Sequence, residues 1–154
     1  MGGAKPCTSP VSAHCKVVAQ SGTPLSYPTS YRSLIGALQY LTWTRPEISY
    51  VVNQVCQYMH SPTFDHLIVA KRILRYIKGI IDYGILFSKG LTAVHGFSDA
   101  DWASDPDTRK STGGYCIFFG SNLIFWSSKR QSTVARSSTE AEFRSLANSA
   151  AEVI

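Results

Sequence analysis

Apolar residues in the first half of the chain recur at intervals of three and four, the spacing of one face of an α-helix. This spacing predicts a helix that starts after Thr29 or Ser30 and stops before Pro46. Pro46 suits the first turn of a second helix, and Ser61-Pro62 restarts the chain as a third. The predicted apolar faces are Tyr31, Leu34, Ile35, Leu38 and Leu41; Ile48, Val51, Val52, Val55 and Met59; and Phe64, Leu67, Ile73, Leu74 and Ile77. Three short amphipathic helices predict a small bundle over residues 29–82.

The pattern changes to short β-prone runs from about residue 83. Residues 85–87 and 93–99 read as strands separated by a turn at 88–90. A hairpin is predicted from residues 115–119 and 123–127, which Gly120-Ser121-Asn122 joins.

A C-terminal helix is predicted from about residue 138 to the end. Ser137 and Glu140 have the spacing of a capping box, and Thr139 and Glu142 offer a second one in an overlapping register. The expected apolar positions of this helix are Phe143, Leu146, Ala147, Ala150 and Ile154. The fold class is therefore α+β, with a helical bundle followed by a sheet of three to four strands and one C-terminal helix.

Composition narrows the class of protein. The chain has 154 residues, 44% hydrophobic and 16% charged, which is typical of one or two globular units. Residues 1–28, rich in Pro, Ser, Thr and Gly, are expected to form a linker or an extended arm. No apolar run spans a membrane and no secretory signal is evident, so we expect an intracellular protein, cytoplasmic or nuclear. The cysteines Cys7, Cys15, Cys56 and Cys116 have no metal-finger spacing and are interpreted as free thiols.

Charge is distributed unevenly along the chain. The net charge is +5, and residues 1–77 account for it, with seven basic residues against two acidic ones. Basic side chains cluster on the third helix, on the side away from its apolar face: Lys71, Arg72, Arg75 and Lys78. This cluster is either a surface that binds nucleic acid or an ordinary solvated helix face.

Residues 78–154 are charge-balanced but concentrate carboxylates. Asp99 ends a predicted strand and Glu142 lies early on the last helix. Two such carboxylates are able to converge on Mg²⁺, a hard cation that prefers oxygen ligands. The spacing alone is equally compatible with an exposed Asp and a helix-capping Glu.

Longer strings make the interpretation more specific. SDADWA (98–103), DTRKSTGGY (107–115), WSSKRQ (126–131) and SSTEAEF (137–143) closely resemble the ribonuclease H region of copia-type retrotransposon Pol polyproteins. Upstream, YRSLIGALQYL (31–41), TRPEI (44–48) and AKRILRYIKG (70–79) resemble the end of the reverse transcriptase of the same polyproteins. The resemblance covers about residues 20–154 in unbroken order.

The resemblance implies a domain with an RNase H fold, a mixed sheet flanked by helices, over residues 83–154. It also implies hydrolysis of the RNA strand of an RNA–DNA hybrid with Mg²⁺ or Mn²⁺. The family's first two catalytic carboxylates match Asp99 and Glu142, with Asp101 and Glu140 as nearby alternates. Lys71, Arg72, Arg75 and Lys78 would face the backbone of the hybrid. Trp102 and Trp126 are expected to pack in the core or on the sheet rather than stack on bases.

The chain departs from the family pattern after residue 154, where a third and a fourth acidic residue would follow. We therefore expect a truncated RNase H-like domain that is inactive alone, because two carboxylates leave two metal ions short of ligands. The Asp99 strand should have one unpaired edge, which invites self-association. The alternatives are a module that binds nucleic acid without sequence preference and a protein-interaction module.

Overall fold

The computed structural model describes residues 3–12 and 18–154. In these ranges the chain forms four α-helices, one short 3₁₀ helix and three β-strands, in agreement with the predicted α+β class. It divides into two compact units between Gly84 and Ile85. The first, here the helical unit, contains three of the α-helices, and the second, the sheet unit, contains the strands and the last helix.

The helical unit begins its regular structure at Pro28, which occupies the first turn of a helix where its missing N–H costs nothing. Its elements are α1 (Pro28–Leu41), a 3₁₀ turn (Pro46–Ile48), α2 (Ser49–Cys56) and α3 (Phe64–Gly79). The predicted second helix is thus split into a 3₁₀ turn and α2. Met59 lies beyond the end of α2, yet it packs half-buried against the core.

The core of the helical unit is a continuous cluster of buried side chains from all three helices: Tyr31, Ile35, Leu38, Ile48, Val51, Val52, Val55, Val69, Ala70 and Ile73. The hydroxyl of Tyr31 donates to the carbonyl of Val55 at 2.9 Å, so this buried polar atom is satisfied. Burial in this cluster raises the pKa of Cys56 to about 11, which keeps its thiol protonated.

The prediction that α3 buries Phe64 is wrong, since 53% of this side chain is exposed. The N-terminal cap places His66, rather than Phe64, on the buried face of the first turn. Thr63 Oγ1 accepts from the N–H of His66, and Nδ1 of His66 accepts from the N–H of Thr63 at 3.0 Å. His66 is fully buried and stacks on Tyr58, so it takes the inward position and turns Phe64 towards solvent.

The described part of the predicted N-terminal arm packs along α3. The N–H of Phe64 donates to the carbonyl of Thr23 at 2.9 Å, and the N–H of Leu25 donates to the carbonyl of Pro62 at 3.0 Å. At the other end of the helix, the N–H of Cys7 donates to the carbonyl of Arg75 at 3.3 Å. Residues 13–17, which include Cys15, lie outside the described residues; Cys7, Cys56 and Cys116 are free thiols, as predicted.

The sheet unit is built on a three-stranded sheet of β1 (Val94–Ala100), β2 (Thr112–Phe119) and β3 (Asn122–Arg130) in the order β1-β2-β3. Both strand pairs are antiparallel, so among the described residues the expected mixed sheet is not observed. The predicted hairpin is confirmed, with longer strands joined by Gly120-Ser121; Gly120 adopts a φ of +59° that favours glycine.

The prediction of a strand at residues 85–87 is wrong. This segment has no ladder partner in the described chain. The residue after it, Ser88, is held by a side chain instead. The Asn122 side chain accepts from the N–H of Ser88 at 2.7 Å and donates to its carbonyl at 2.8 Å. A side-chain amide thus replaces a neighbouring strand as the hydrogen-bond partner of this segment.

Helix α4 (Ser138–Val153) packs on β1 and β2 through small residues. The buried positions are Ala141, Ser145 and Ser149, whereas Phe143 and Leu146 are 66% and 53% exposed. The predicted apolar face of α4 is therefore wrong. The helix lies so close to the sheet that a Cβ at Gly113 would stand 3.1 Å from Ser145 Oγ, and larger side chains do not fit between them.

The buried apolar side chains of the described sheet unit are few, and all but Ile117 are alanines: Ala103, Ile117, Ala135 and Ala141. By contrast, Phe97, Phe143 and Leu146 are each more than half exposed.

Among the described residues, no helix combines the length and the apolar character that crossing a bilayer requires.

Candidate functional site

Asp99 lies one residue before the end of β1, opposite Gly114 of β2, and its side chain is exposed. The hydroxyl of Ser145 donates to the carbonyl of Asp99 at 2.8 Å and also lies 3.1 Å from the carbonyl of Gly114. This contact holds the backbone of Asp99 beneath α4, one helical turn from Glu142. The carboxylate of Asp99 has no hydrogen bond or ion pair to any described residue.

Glu142 lies in the second turn of α4 and its side chain is exposed. It likewise has no hydrogen bond or ion pair to any residue in the described ranges. The strand register places Asp99 on the opposite face of the sheet from Gly113, whose Cβ position points to α4. A single ion shared by Asp99 and Glu142 therefore requires the Asp99 carboxylate to reach around the unpaired edge of β1.

Asp101, an alternate to Asp99, is used by the fold. Its Oδ1 accepts from the N–H of Thr112 at 2.6 Å and its Oδ2 accepts from the hydroxyl of Ser104. The N–H of Asp101 continues the ladder to the carbonyl of Thr112 at 3.1 Å. One carboxylate oxygen thus fastens the end of β1 to the start of β2 and the other stabilises the turn between the two strands, which is a structural role.

Glu140, the alternate to Glu142, stabilises the start of α4. Its carboxylate accepts from the N–H of Arg136 at 2.7 Å and pairs with Arg144 at 2.7 Å. The Arg136 N–H, together with the Arg144 guanidinium, lowers the pKa of Glu140. One of the two hydrogen bonds of the predicted capping box is present: Ser137 Oγ accepts from the N–H of Glu140. The Glu140 carboxylate accepts from the N–H of Arg136 rather than from that of Ser137. The overlapping register is wrong, because Thr139 lies inside the helix.

Asp105 is the acidic residue whose role the sequence reasoning missed. Its side chain is 5% exposed and forms an ion pair with Arg130 at 2.6 Å. It also accepts from the N–H groups of Asp107 and Thr108 and from the Thr108 hydroxyl. Burial opposes its ionisation, but these hydrogen bonds outweigh burial and lower the pKa of Asp105. The signal for this turn is in the sequence, where residues 105–108 read Asp-Pro-Asp-Thr.

The candidate carboxylates therefore separate into two classes. Asp101 and Glu140 are hydrogen-bonded within the fold, whereas Asp99 and Glu142 are exposed and unpaired within the described ranges. Over those same ranges, no group of three or more His, Cys, Asp or Glu side chains is arranged to hold a metal ion. The described sheet unit therefore offers a divalent cation the carboxylates of Asp99 and Glu142, which are hard oxygen ligands.

The predicted basic face of α3 is partly covered by the N-terminal segment. Arg75 Nε donates to the carbonyl of Lys5 at 2.7 Å, and Lys78 Nζ donates to the carbonyl of Ala4 at 3.1 Å. Lys71 is exposed, and Arg72 is half-buried with its Nε unpartnered in the described structure. Because Lys5 and Ala4 accept through neutral backbone carbonyls, these two bonds do not themselves neutralise a positive charge.

The two tryptophans of the sheet unit are placed differently. Trp102 is 56% exposed, so the prediction that it packs in the core or on the sheet is wrong for more than half of its surface. Its indole N–H donates to the carbonyl of Ala135 at 3.2 Å and thereby ties the turn after β1 to the segment before α4. Trp126 pairs with Cys116 in the sheet and is half-buried, as expected for a sheet-packing residue.

Known proteins with similar sequences include long polyproteins. The chain is 52% identical over 151 residues to the retrovirus-related Pol polyprotein from transposon RE2 of Arabidopsis thaliana. This match covers 97% of the chain but 10% of the polyprotein, so the chain spans about one tenth of the length of that relative.

Shorter proteins are similar as well. The chain is 55% identical over 127 residues to an uncharacterized mitochondrial protein of Arabidopsis thaliana, covering 82% of the chain and 53% of that protein. It is 40% identical over 126 residues to secreted RxLR effector protein 161 of Plasmopara viticola, covering 80% of the chain and 89% of that protein. No family profile matches the chain, and no solved structure does.

Proposed function

The chain belongs to a sequence family that includes the retrovirus-related Pol polyproteins of transposons, and we propose that it is a copia-type segment joining two functional regions. In this proposal the helical unit is the end of a reverse transcriptase and the sheet unit is the first part of an RNase H-like domain. The strings at residues 31–41, 70–79, 98–103 and 137–143 support it. The proposal includes an intracellular location, cytoplasmic or nuclear, where a nucleic-acid substrate would be met.

The observation that carries the proposal is the division of the carboxylates. The two residues that match the family's first two catalytic positions, Asp99 and Glu142, are those that the fold leaves exposed and unpaired in the described ranges. Their neighbours Asp101 and Glu140 are committed to hydrogen bonds that build the fold. Carboxylates with a structural role would be expected to form hydrogen bonds within the fold, as Asp101 and Glu140 do.

Carboxylate oxygens are the donors that Mg²⁺ or Mn²⁺ takes, together with several waters, and holding one ion between Asp99 and Glu142 requires the Asp99 carboxylate to reach around the edge of β1. Asp99 and Glu142 would hold the ion, which would supply an activated water and stabilise the charge on the leaving oxygen. Ser145 would act as a positioning residue, because its hydroxyl fixes the backbone of Asp99 against α4. The RNA strand of an RNA–DNA hybrid is the proposed substrate.

We further propose that these 154 residues do not cleave the hybrid on their own. Two-metal phosphodiester hydrolysis uses two ions about 4 Å apart, clamped by several carboxylates. The described sheet unit presents two unpaired carboxylates, and the described residues hold no larger metal-holding group. An ion held by two protein ligands is poorly fixed, so transition-state stabilisation is lost.

A cleavage assay on a labelled RNA–DNA hybrid with Mg²⁺ or Mn²⁺ tests the proposed inactivity. We expect the RNA strand to remain intact at micromolar protein, at the level of a buffer blank. Cleavage that disappears in Asp99→Asn but persists in the matched variant Lys89→Gln would contradict inactivity. It would also show that Asp99 belongs to a complete site.

A second function, binding of nucleic acid without sequence preference, is favoured by the charge of α3. Lys71, Arg72 and Arg75 form no ion pair with any described residue, so their charges stay available to phosphates. Each neutralised phosphate adds to the salt dependence of binding, with a slope of about −0.9 per contact for duplex DNA.

Fluorescence anisotropy with a labelled duplex tests this second function. We expect affinity to fall steeply between about 50 and 200 mM salt, by roughly tenfold or more for a few phosphate contacts. Lys71→Glu combined with Arg72→Glu should weaken binding further, whereas Lys89→Glu, in the loop before β1, should have a smaller effect. Affinity independent of salt and of these substitutions would reject it.

A further inference from the structure

The outward face of α3 carries apolar and basic side chains in a single line. This line, here the α3 stripe, repeats at intervals of four and three residues and consists of Phe64, Ile68, Lys71, Arg75 and Lys78. Residues at these intervals lie on one face of a helix, opposite the buried residues of α3. The stripe is about 21 Å long at 1.5 Å per residue. Four of its side chains are exposed and Arg75 is half-buried.

The N-terminal end of the α3 stripe is apolar. Phe64 and Ile68 are 53% and 62% exposed and lie one helical turn apart. The backbone of Phe64 is fixed, because its N–H donates to the carbonyl of Thr23 at 2.9 Å and the cap formed by Thr63 and His66 holds the first turn. The stripe therefore begins with an aromatic ring that faces solvent from a well-held backbone.

The C-terminal end of the α3 stripe is basic, and its charge is not compensated nearby. Lys71 and Arg75 form no ion pair with any described residue. Asp65 is the one acidic residue of α3, and it lies to one side of the stripe, where its carboxylate accepts from the hydroxyl of Ser21. The positive potential along the stripe is therefore available to an anionic ligand.

The N-terminal segment adds a further cation to this end. Arg75 Nε donates to the carbonyl of Lys5 at 2.7 Å, which places Lys5 beside the stripe with its own side chain exposed. The contact runs through the backbone of Lys5, so its ammonium group is not used by it. The segment thus extends the basic surface rather than covering it with opposite charge.

We propose that the α3 stripe binds single-stranded nucleic acid, with Phe64 stacked on an unpaired base and the basic end against the phosphates that follow. This inference rests on the proposed binding of nucleic acid by α3 and specifies its ligand. Exposed aromatic rings beside a line of cations bind single strands without reading their sequence, since every base has a flat face.

The apolar end of the stripe favours a single strand over a duplex. In a duplex each base is already stacked on its neighbours and paired with its partner, so no base face is open to Phe64. A duplex bound along the stripe would contact the cations and leave Phe64 and Ile68 in water. A single strand satisfies both ends of the stripe.

An oligonucleotide without bases separates stacking from charge. Fluorescence anisotropy of the full chain in EDTA compares a labelled strand of about ten thymidines with an abasic strand of equal length. We expect the thymidine strand to bind about tenfold more tightly, because the two strands carry the same phosphates and differ in stacking. Equal, salt-dependent affinities would overturn this inference and leave charge-driven binding intact. Absence of salt-dependent binding to both strands and to a duplex would reject the proposed binding as well.

Substitutions of Phe64 assign the stacking to this ring. Phe64→Ala and Phe64→Leu should each weaken binding of the thymidine strand by about tenfold and leave binding of the abasic strand unchanged. Phe64→Trp should retain the affinity of the parent chain. A Phe64→Leu variant that binds like the parent would overturn the inference, because an apolar contact would then suffice.

Tyr40→Ala is the matched control for these variants. Tyr40 is 81% exposed on α1, within residues 33–44, which contain no Lys or Arg. Its removal should leave every affinity unchanged, and circular dichroism checks that each variant keeps its helices. A loss in Tyr40→Ala as large as that in Phe64→Ala would overturn the assignment of stacking to the α3 stripe.

Discussion

At the scale of single residues, Asp105 makes the stability of the sheet unit depend on pH. Its pKa is lowered in the folded chain, so its stabilisation is complete above the ordinary carboxyl value of about 4. The stabilisation is lost as the pH falls through the lowered folded pKa. We expect Asp105→Asn to reduce the free energy of unfolding by about 1–3 kcal/mol at pH 7 and by much less near pH 2.5.

Urea unfolding of a Trp43→Phe background, followed by the fluorescence of Trp102 and Trp126, measures this difference. Glu142→Gln is the matched control, since its exposed carboxylate has no partner in the described chain and its removal should change stability by less than about 0.5 kcal/mol. Equal destabilisation by Asp105→Asn at both pH values would refute the assigned role of the ion pair with Arg130.

The candidate carboxylates show how much of the site the sequence predicts. It nominates Asp99 and Glu142 with Asp101 and Glu140 as alternates, because all four lie in matching strings. The sequence does not separate them, since the difference lies in the backbone N–H that each carboxylate reaches in the folded chain: that of Thr112 for Asp101 and that of Arg136 for Glu140. The role of Ser145 is equally invisible, because a serine within a helix looks solvent-facing until a sheet lies against it.

At the scale of elements, the docking of α4 depends on Ser145. Its hydroxyl contacts the carbonyls of Asp99 and Gly114, and its side chain fills the narrow space above Gly113. We expect Ser145→Ala to cost about 1 kcal/mol through the lost hydrogen bonds and Ser145→Val to cost about 1–3 kcal/mol through overpacking.

The same urea experiment tests this order of effects. The neighbouring substitution Leu146→Gln serves as control, because Leu146 is exposed and should be replaceable within about 0.5 kcal/mol. If Ser145→Val were as stable as the parent chain, the close approach of α4 to Gly113 would not limit the packing.

Elements were predictable where local signals and packing agree. Pro46 marks the start of the second helical segment, as predicted, and the hairpin follows from Gly120-Ser121, whereas α1 begins at Pro28, slightly earlier than predicted. The larger apolar residues of α4 predict a core face, but they lie on its outward face, because the close contact between the helix and the sheet requires small residues. The run at residues 85–87 has β propensity but no partner strand in the described chain, and propensity alone does not create a ladder.

At the scale of the whole molecule, the two units differ in how much apolar surface they bury. The helical unit has a continuous core, whereas the buried apolar side chains of the described sheet unit are three alanines and Ile117. Phe97, Phe143 and Leu146 of the sheet unit are more than half exposed, so we expect this unit to be the less stable of the two.

The central claim, that Asp99 and Glu142 are the metal-binding carboxylates of an RNase H-like segment, is tested most directly by paramagnetic line broadening. In an amide ¹H–¹⁵N spectrum, substoichiometric Mn²⁺ should selectively broaden the signals around Asp99 and Glu142. The effect should disappear in Asp99→Asn and in Glu142→Gln and persist in Asp101→Asn and Glu140→Gln, whose spectra also report whether each variant is folded. Broadening that ignores the first two substitutions, or that centres on Asp101 or Glu140, would contradict the claim.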